Sequence, residues 1–195
     1  MACALKSTRA SEHFRGDPAP RQVSGIIWAL GTLSRLPVNT STPLHAVSEL
    51  CSTRAGDMNA QELSMALWGL ARLSEKGNCH VEKSVRALVD AIPYQAKSLA
   101  SQGVSNVLWS LARLAVQPVS SVEAALMQAA IRNAAGMRPQ EISNTIWAMA
   151  KLSIFHEPTI KALVHNLPST MSHFSPQHLA NAAWGLAKLG EAINC

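Results

Sequence analysis

The chain predicts an all-α fold, an α-solenoid of about four and a half Trp-containing helical-hairpin repeats of roughly 38 residues. Three observations carry this reading. First, each of the five tryptophans, Trp28, Trp68, Trp109, Trp147 and Trp184, sits inside one eleven-residue phrase: VSGIIWALGTL, LSMALWGLARL, VSNVLWSLARL, ISNTIWAMAKL and LANAAWGLAKL. Second, successive tryptophans lie 40, 41, 38 and 37 residues apart, the range of units that bury their apolar faces only by stacking on neighbours. Third, apolar residues recur three or four apart, and no alternating strand pattern competes.

Residues 1–19 read as a flexible N-terminal arm. Lys6, Arg9 and Arg15 leave a transit remnant as the alternative, against which Glu12 and Asp17 stand. The repeat array is placed at 20–195, with Trp helices near 20–35, 60–74, 101–115, 139–153 and 176–190. Pro20, Pro139 and Pro176 each precede their Trp by eight residues, where a first-turn proline gives up no needed hydrogen bond. In the second unit Asn59 and Glu62 form a capping-box pattern, and Ser175 before Pro176 is an N-cap candidate.

Between the Trp helices, second helices are marked by Leu44, Val47 and Leu50; by Val81, Val85, Leu88 and Ile92; by Val122 and Leu126; and by Ile160, Leu163 and Leu167. Pro37, Pro43, Pro118, Pro158, Gly77 and Gly136 read as the breaks. The last Trp helix is followed by no further hairpin and no polar cap, which suggests a fragment, a truncated product or one segment of a longer array.

A helix turns about 100° per residue, so the aliphatic positions five and one before Trp and two and five after it share one arc, the expected buried stripe. In the third unit these are Val104, Leu108, Leu111 and Leu114. Trp points to the other side, together with the residues seven before, three before and four after it. That second face carries Gln61, Gln102, Gln140 and Gln177; Asn106, Asn144 and Asn181; and Arg72, Arg113, Lys151 and Lys188. Unit one departs, with Arg21, Gly25 and Thr32, and unit two has Met65 in the Asn place. Small residues just after Trp, such as Gly69, Ser110, Ala148 and Gly185, predict close helix approach.

The indole reads first as a packing anchor against the next repeat and second as a base-stacking platform. For the cations, a stacked array would line up Arg72, Arg113, Lys151 and Lys188 as a ladder that neutralises phosphates, while Gln and Asn amides meet base edges. The alternative is a set of solvated helix ends favoured by the macrodipole.

A unit of about 38 residues with the phrase S-N-x-[LI]-W-[AS]-[LM]-A-[RK]-L resembles the octotricopeptide repeat. It is similar also to the helical repeats of FAST kinase-like proteins and of the RNA-editing substrate-binding complex. The resemblance covers residues 20–195 and implies a helical-hairpin solenoid that binds single-stranded RNA in a mitochondrion or chloroplast, within a ribonucleoprotein with protein partners. It weights Gln102, Asn106 and Arg113; Gln140, Asn144 and Lys151; and Gln177, Asn181 and Lys188 toward RNA contact.

The net charge of +5 suits a polyanionic partner, and no apolar run approaches the roughly 18 residues of a membrane span. Cys3, Cys51, Cys79 and Cys195 lie far apart without a CxxC pair, which predicts neither disulfides nor zinc and suits a reducing compartment. No phosphate loop, nucleophile elbow or HExxH is present, so neither an enzyme nor a cofactor is expected. An armadillo- or HEAT-like protein-interaction scaffold is the second functional reading.

Overall fold

The fold is given by a computed structural model that describes residues 18–33, 41–75 and 81–191. The N-terminal arm up to residue 17, the breaks at Pro37 and Gly77, and Cys3, Cys79 and Cys195 lie outside the described residues. Within them the protein is all-α: α1 (Pro20–Thr32), α2 (Ser41–Arg54), α3 (Ala60–Ser74), α4 (Glu82–Gln95), α5 (Ser101–Arg113), α6 (Ser120–Asn133), α7 (Pro139–Lys151), α8 (Glu157–His165), α9 (Leu167–Thr170) and α10 (Pro176–Glu191). The five Trp helices α1, α3, α5, α7 and α10 begin at the expected residues.

These helices form two layers. The Trp helices stack in chain order, α1 on α3, α3 on α5, α5 on α7 and α7 on α10, while α2, α4, α6 and α8 stack behind them. The layers meet within each hairpin, α1 with α2, α3 with α4, α5 with α6 and α7 with α8. Between them lies the apolar stripe. Leu63, Leu67, Leu70, Val104, Leu108, Leu111, Ile142, Ile146 and Met149 are all fully buried, in the places the 100° projection assigns to them.

Four of the five Trp-helix starts follow one local rule, and α5, with Gly103 in that place, does not. The residue six before Trp reaches back to the cap backbone: Ala19 N–H donates to Gln22 Oε1 at 2.9 Å, Asn59 N–H to Glu62 Oε2 at 3.0 Å, Arg138 N–H to Glu141 Oε2 at 2.8 Å and Ser175 N–H to His178 Nδ1 at 3.3 Å. Asn59 completes its box by accepting from Glu62 N–H at 3.0 Å, and Ser175 Oγ accepts from His178 N–H at 3.2 Å. The chain enters each start through a 3-10 turn that the periodicity does not reveal, at Ala55–Asp57, Ala96–Ser98, Ala134–Gly136 and Met171–His173. The next residue, Met58, Leu99, Met137 or Phe174, lies ten before Trp and closes the turn with its N–H. The first three of these side chains are buried.

Two prolines assigned as breaks instead begin helices. Pro158 is the second residue of α8 and Pro43 the third of α2. The first-turn N–H groups of a helix have no internal partner, so proline there removes nothing. Pro93 sits inside the last turn of α4. At the other end, α5 and α7 stop alike: Ala115 and Ser153 take positive φ of 53°, and Val116 and Ile154 N–H donate back to Leu111 and Met149 at 2.9 Å.

Close approach of the Trp helices rests on the small residue after Trp. A Cβ on Gly69 would stand 2.6 Å from Ile27 O, and one on Gly185 would stand 2.8 Å from Ile146 Cγ2. Both partners occupy the place just before the preceding Trp. In the rear layer Ser84 Oγ donates to Ser48 O at 2.6 Å, and Arg132 and Asn133 donate to Ala96 O and Leu99 O at 2.8 and 3.0 Å. At α10 the stripe opens: Leu179 is 43% exposed and Ala183 exposed, while Leu189 stays buried.

Candidate nucleic-acid interface

The front of the Trp layer bears a file of indoles. Trp28 and Trp68 lie 6.5 Å apart between ring centroids at 35°, and Trp68 and Trp109 lie 6.5 Å apart at 29°. None is sealed in the core: Trp28 and Trp184 are 45% and 39% exposed, and Trp68, Trp109 and Trp147 are half-buried. The packing-anchor reading holds in part: rings pack on neighbouring repeats and Trp147 packs on the core, but none is fully buried. The small residue after Trp carries the close helix contact, and the larger indole is displaced to the rim, where it stacks on its own repeat neighbours.

In units two to four the cation four residues after Trp lies one helical turn on and folds back over the ring, which Lys188 does not do at Trp184. Arg72 Cζ is 6.0 Å from the Trp68 centroid, Arg113 Cζ 5.6 Å from that of Trp109 and Lys151 Nζ 6.0 Å from that of Trp147. Lys151 Nζ also stands 5.4 Å from Trp184 and so bridges two repeats.

Spacing alone did not reveal the counter-ions. Arg72 Nη1 meets Glu75 Oε2 at 2.8 Å, and Arg113, one repeat later, pairs with the same carboxylate. Lys188 Nζ meets Glu191 Oε2 at 2.8 Å. Among the described residues Lys151 pairs with no carboxylate. Arg72 and Arg113 meet at one carboxylate, Arg113 and Lys151 line one groove, and Lys188 pairs within its own helix, so the cations are uneven in charge. Arg72, Arg113 and Glu75 together carry one net positive charge, whereas Lys151 keeps its own.

Of the amides, Gln61, Gln102, Gln140 and Gln177 are exposed, and Asn106, Asn144 and Asn181 are half-buried. Gln61, Gln102 and Asn106 gather with Trp28 and Met65 around a groove of about 530 Å³ at the start of the array. Gln140 and Asn144 hold the same places on α7, as Gln177 and Asn181 do on α10. A second groove, of about 440 Å³, lies toward the helix ends and is lined by Arg113, Lys151, Trp147 and Gln117, among others. Gln117 was missed by the repeat reading because it follows α5 in the connecting segment. Its Nε2 donates to Leu152 O at 2.7 Å across one repeat.

Chemically, such a surface offers aromatic faces, amides and cations to a flexible polyanion with planar groups. Burial pushes the Cys51 thiol up to about 12, so it is neutral and a poor nucleophile near neutrality. No three His, Cys, Asp or Glu side chains gather as a metal set among the described residues, and none of the described helices is long and apolar enough to cross a membrane.

A family model described as the Tbc2 translation factor N-terminal domain matches residues 74–192. This is more than half of the chain, and the chain belongs to that family. The matched stretch runs from the end of α3 through α10 and contains Trp109, Trp147 and Trp184 with the second groove. No curated protein matches the chain.

Proposed function

We propose that this protein binds single-stranded RNA along the front of its Trp layer and acts in translation or processing of transcripts in a mitochondrion or chloroplast, as an octotricopeptide-like repeat protein without chemistry of its own. The observation that carries the reading is the partly exposed indole file with a cation over the ring at the half-buried Trp68, Trp109 and Trp147. Stacking on aromatic faces and neutralising phosphates with adjacent cations is how sequence-tolerant single-strand binders work. The family's description as a translation factor domain supports the same direction. In this reading Arg72, Arg113, Lys151 and Lys188 face the backbone, and the Gln and Asn of each unit face base edges, with protein partners completing a ribonucleoprotein.

The test is fluorescence anisotropy of a labelled random single-stranded RNA pool over a salt titration. Binding should be micromolar or tighter and fall with salt, since each phosphate contact on a single strand contributes about 0.7 to the log–log slope. Arg113→Ala with Lys151→Ala should lower affinity for every sequence and flatten the slope. Salt-insensitive binding, or none at low salt, would move the surface to the armadillo- or HEAT-like protein scaffold.

A further inference from the structure

The indole file is not uniform, and its irregularity marks a place. At the first two junctions the gap between neighbouring indoles is closed by the rings themselves. At the last junction the Lys151 ammonium lies over both Trp147 and Trp184. Between Trp109 and Trp147 there is no ring contact among the described residues; Trp147 instead lines the groove of about 440 Å³, together with Arg113 and Lys151 and without Trp109. Its lining includes the half-buried Trp147, the stem of Lys151, Arg113 and the small side chain of Ala112.

We propose that this groove is a nucleotide-binding slot in which one base of the RNA stacks on Trp147 with its phosphate between Arg113 and Lys151. The inference rests on the RNA reading above and adds where, within the array, a base is taken up. Three features fit a nucleotide. A base in the groove would stack on Trp147, which has no indole neighbour in ring contact among the described residues. Lys151 is free of carboxylate partners among the described residues, so an incoming phosphate meets an unpaired ammonium at Lys151 and competes with Glu75 only at Arg113. Gln117 spends an amide N–H on Leu152 O, which holds the side chain in place and leaves Oε1 as an acceptor for a donor on the base edge.

The experiment uses a uridine octanucleotide with one central 2-aminopurine, whose fluorescence falls on stacking against indole. It is titrated into the full chain and into the Ala112→Leu, Lys151→Gln and Lys83→Gln variants, each first checked for folding by circular dichroism. Ala112→Leu fills the slot, and Lys83 lies on the rear layer in an ion pair with Glu49. Expected are quenching on binding, a loss of about tenfold for Ala112→Leu, the scale of one lost base stack, several-fold for Lys151→Gln, and no change for Lys83→Gln. Inorganic polyphosphate, which has the charge without the rings, should compete poorly. Tight binding by all variants with an unquenched probe, or equal competition by polyphosphate, would overturn the slot while leaving RNA binding in place. Failure of any single-stranded RNA to bind at low salt would remove both.

Discussion

The two halves of the indole file carry the same phrase and present different surfaces. From Trp28 to Trp109 the rings stack on one another and the two arginines share Glu75, so aromatic faces and charges are largely satisfied internally. From Trp109 to Trp184 the rings make no contact with one another among the described residues, and Lys151 lies over two indoles without a carboxylate partner, beside Arg113 in a groove. The difference teaches that a repeat position does not carry its own availability. What occupies the next repeat decides whether an indole is a wall or a platform, and whether a cation is a counter-ion or a binding group.

The largest expected effect separates the halves by stability. Trp109→Ala removes a half-buried ring stacked on Trp68 and should cost about 2 to 3 kcal/mol, below the usual range for a fully buried aromatic. Trp184→Ala, at a 39% exposed site, should cost under about 1 kcal/mol. Urea unfolding of both variants checks the order, and equal losses would erase the contrast.

A smaller effect concerns charge. Glu75→Gln unpairs Arg72 and Arg113 and should raise affinity for single-stranded RNA about threefold while steepening the salt slope by about 0.7, one added contact. Stability should change by no more than about 1 kcal/mol, because the carboxylate is near the surface. Unchanged affinity would mean that the first half of the ladder does not meet phosphate.

The smallest effect sharpens the edges of the open junction, since α5 and α7 both stop on a non-glycine residue in the left-handed region. Ala115→Gly and Ser153→Gly should each add about 0.5 kcal/mol to stability by relieving that conformation. Thermal melts would show it, and RNA affinity should be unmoved because Ala115 loses only a methyl from the slot rim.

Much of the fold was legible because it repeats. Five copies of one phrase average out local noise, so helix starts at Pro20, Ala60, Ser101, Pro139 and Pro176, and the buried stripe of α3, α5 and α7, follow from spacing alone. Pro43 and Pro158 misled because proline breaks a helix interior but suits its first turn, and only the register of α2 and α8 tells which applies. The 3-10 turns escaped because three residues are too few to show a period, although an apolar residue ten before each later Trp was there to be seen. Of the candidate site, the face projection named the cations and amides, of which Gln61, Gln102 and Asn106 gather at one groove and Arg113 and Lys151 at another. It did not name Glu75 and Gln117, because they act across repeats from segments outside the phrase.

By itself the sequence determined the helical period, the two faces of each Trp helix and the residue types on them, since these depend on 3.6 residues per turn and on burial of apolar side chains. Tertiary structure alone decided how far each indole emerges, which cations are already neutralised and where the file stays open. Those properties belong to distances of a few ångströms between residues about 38 positions apart, set by how neighbouring helices pack.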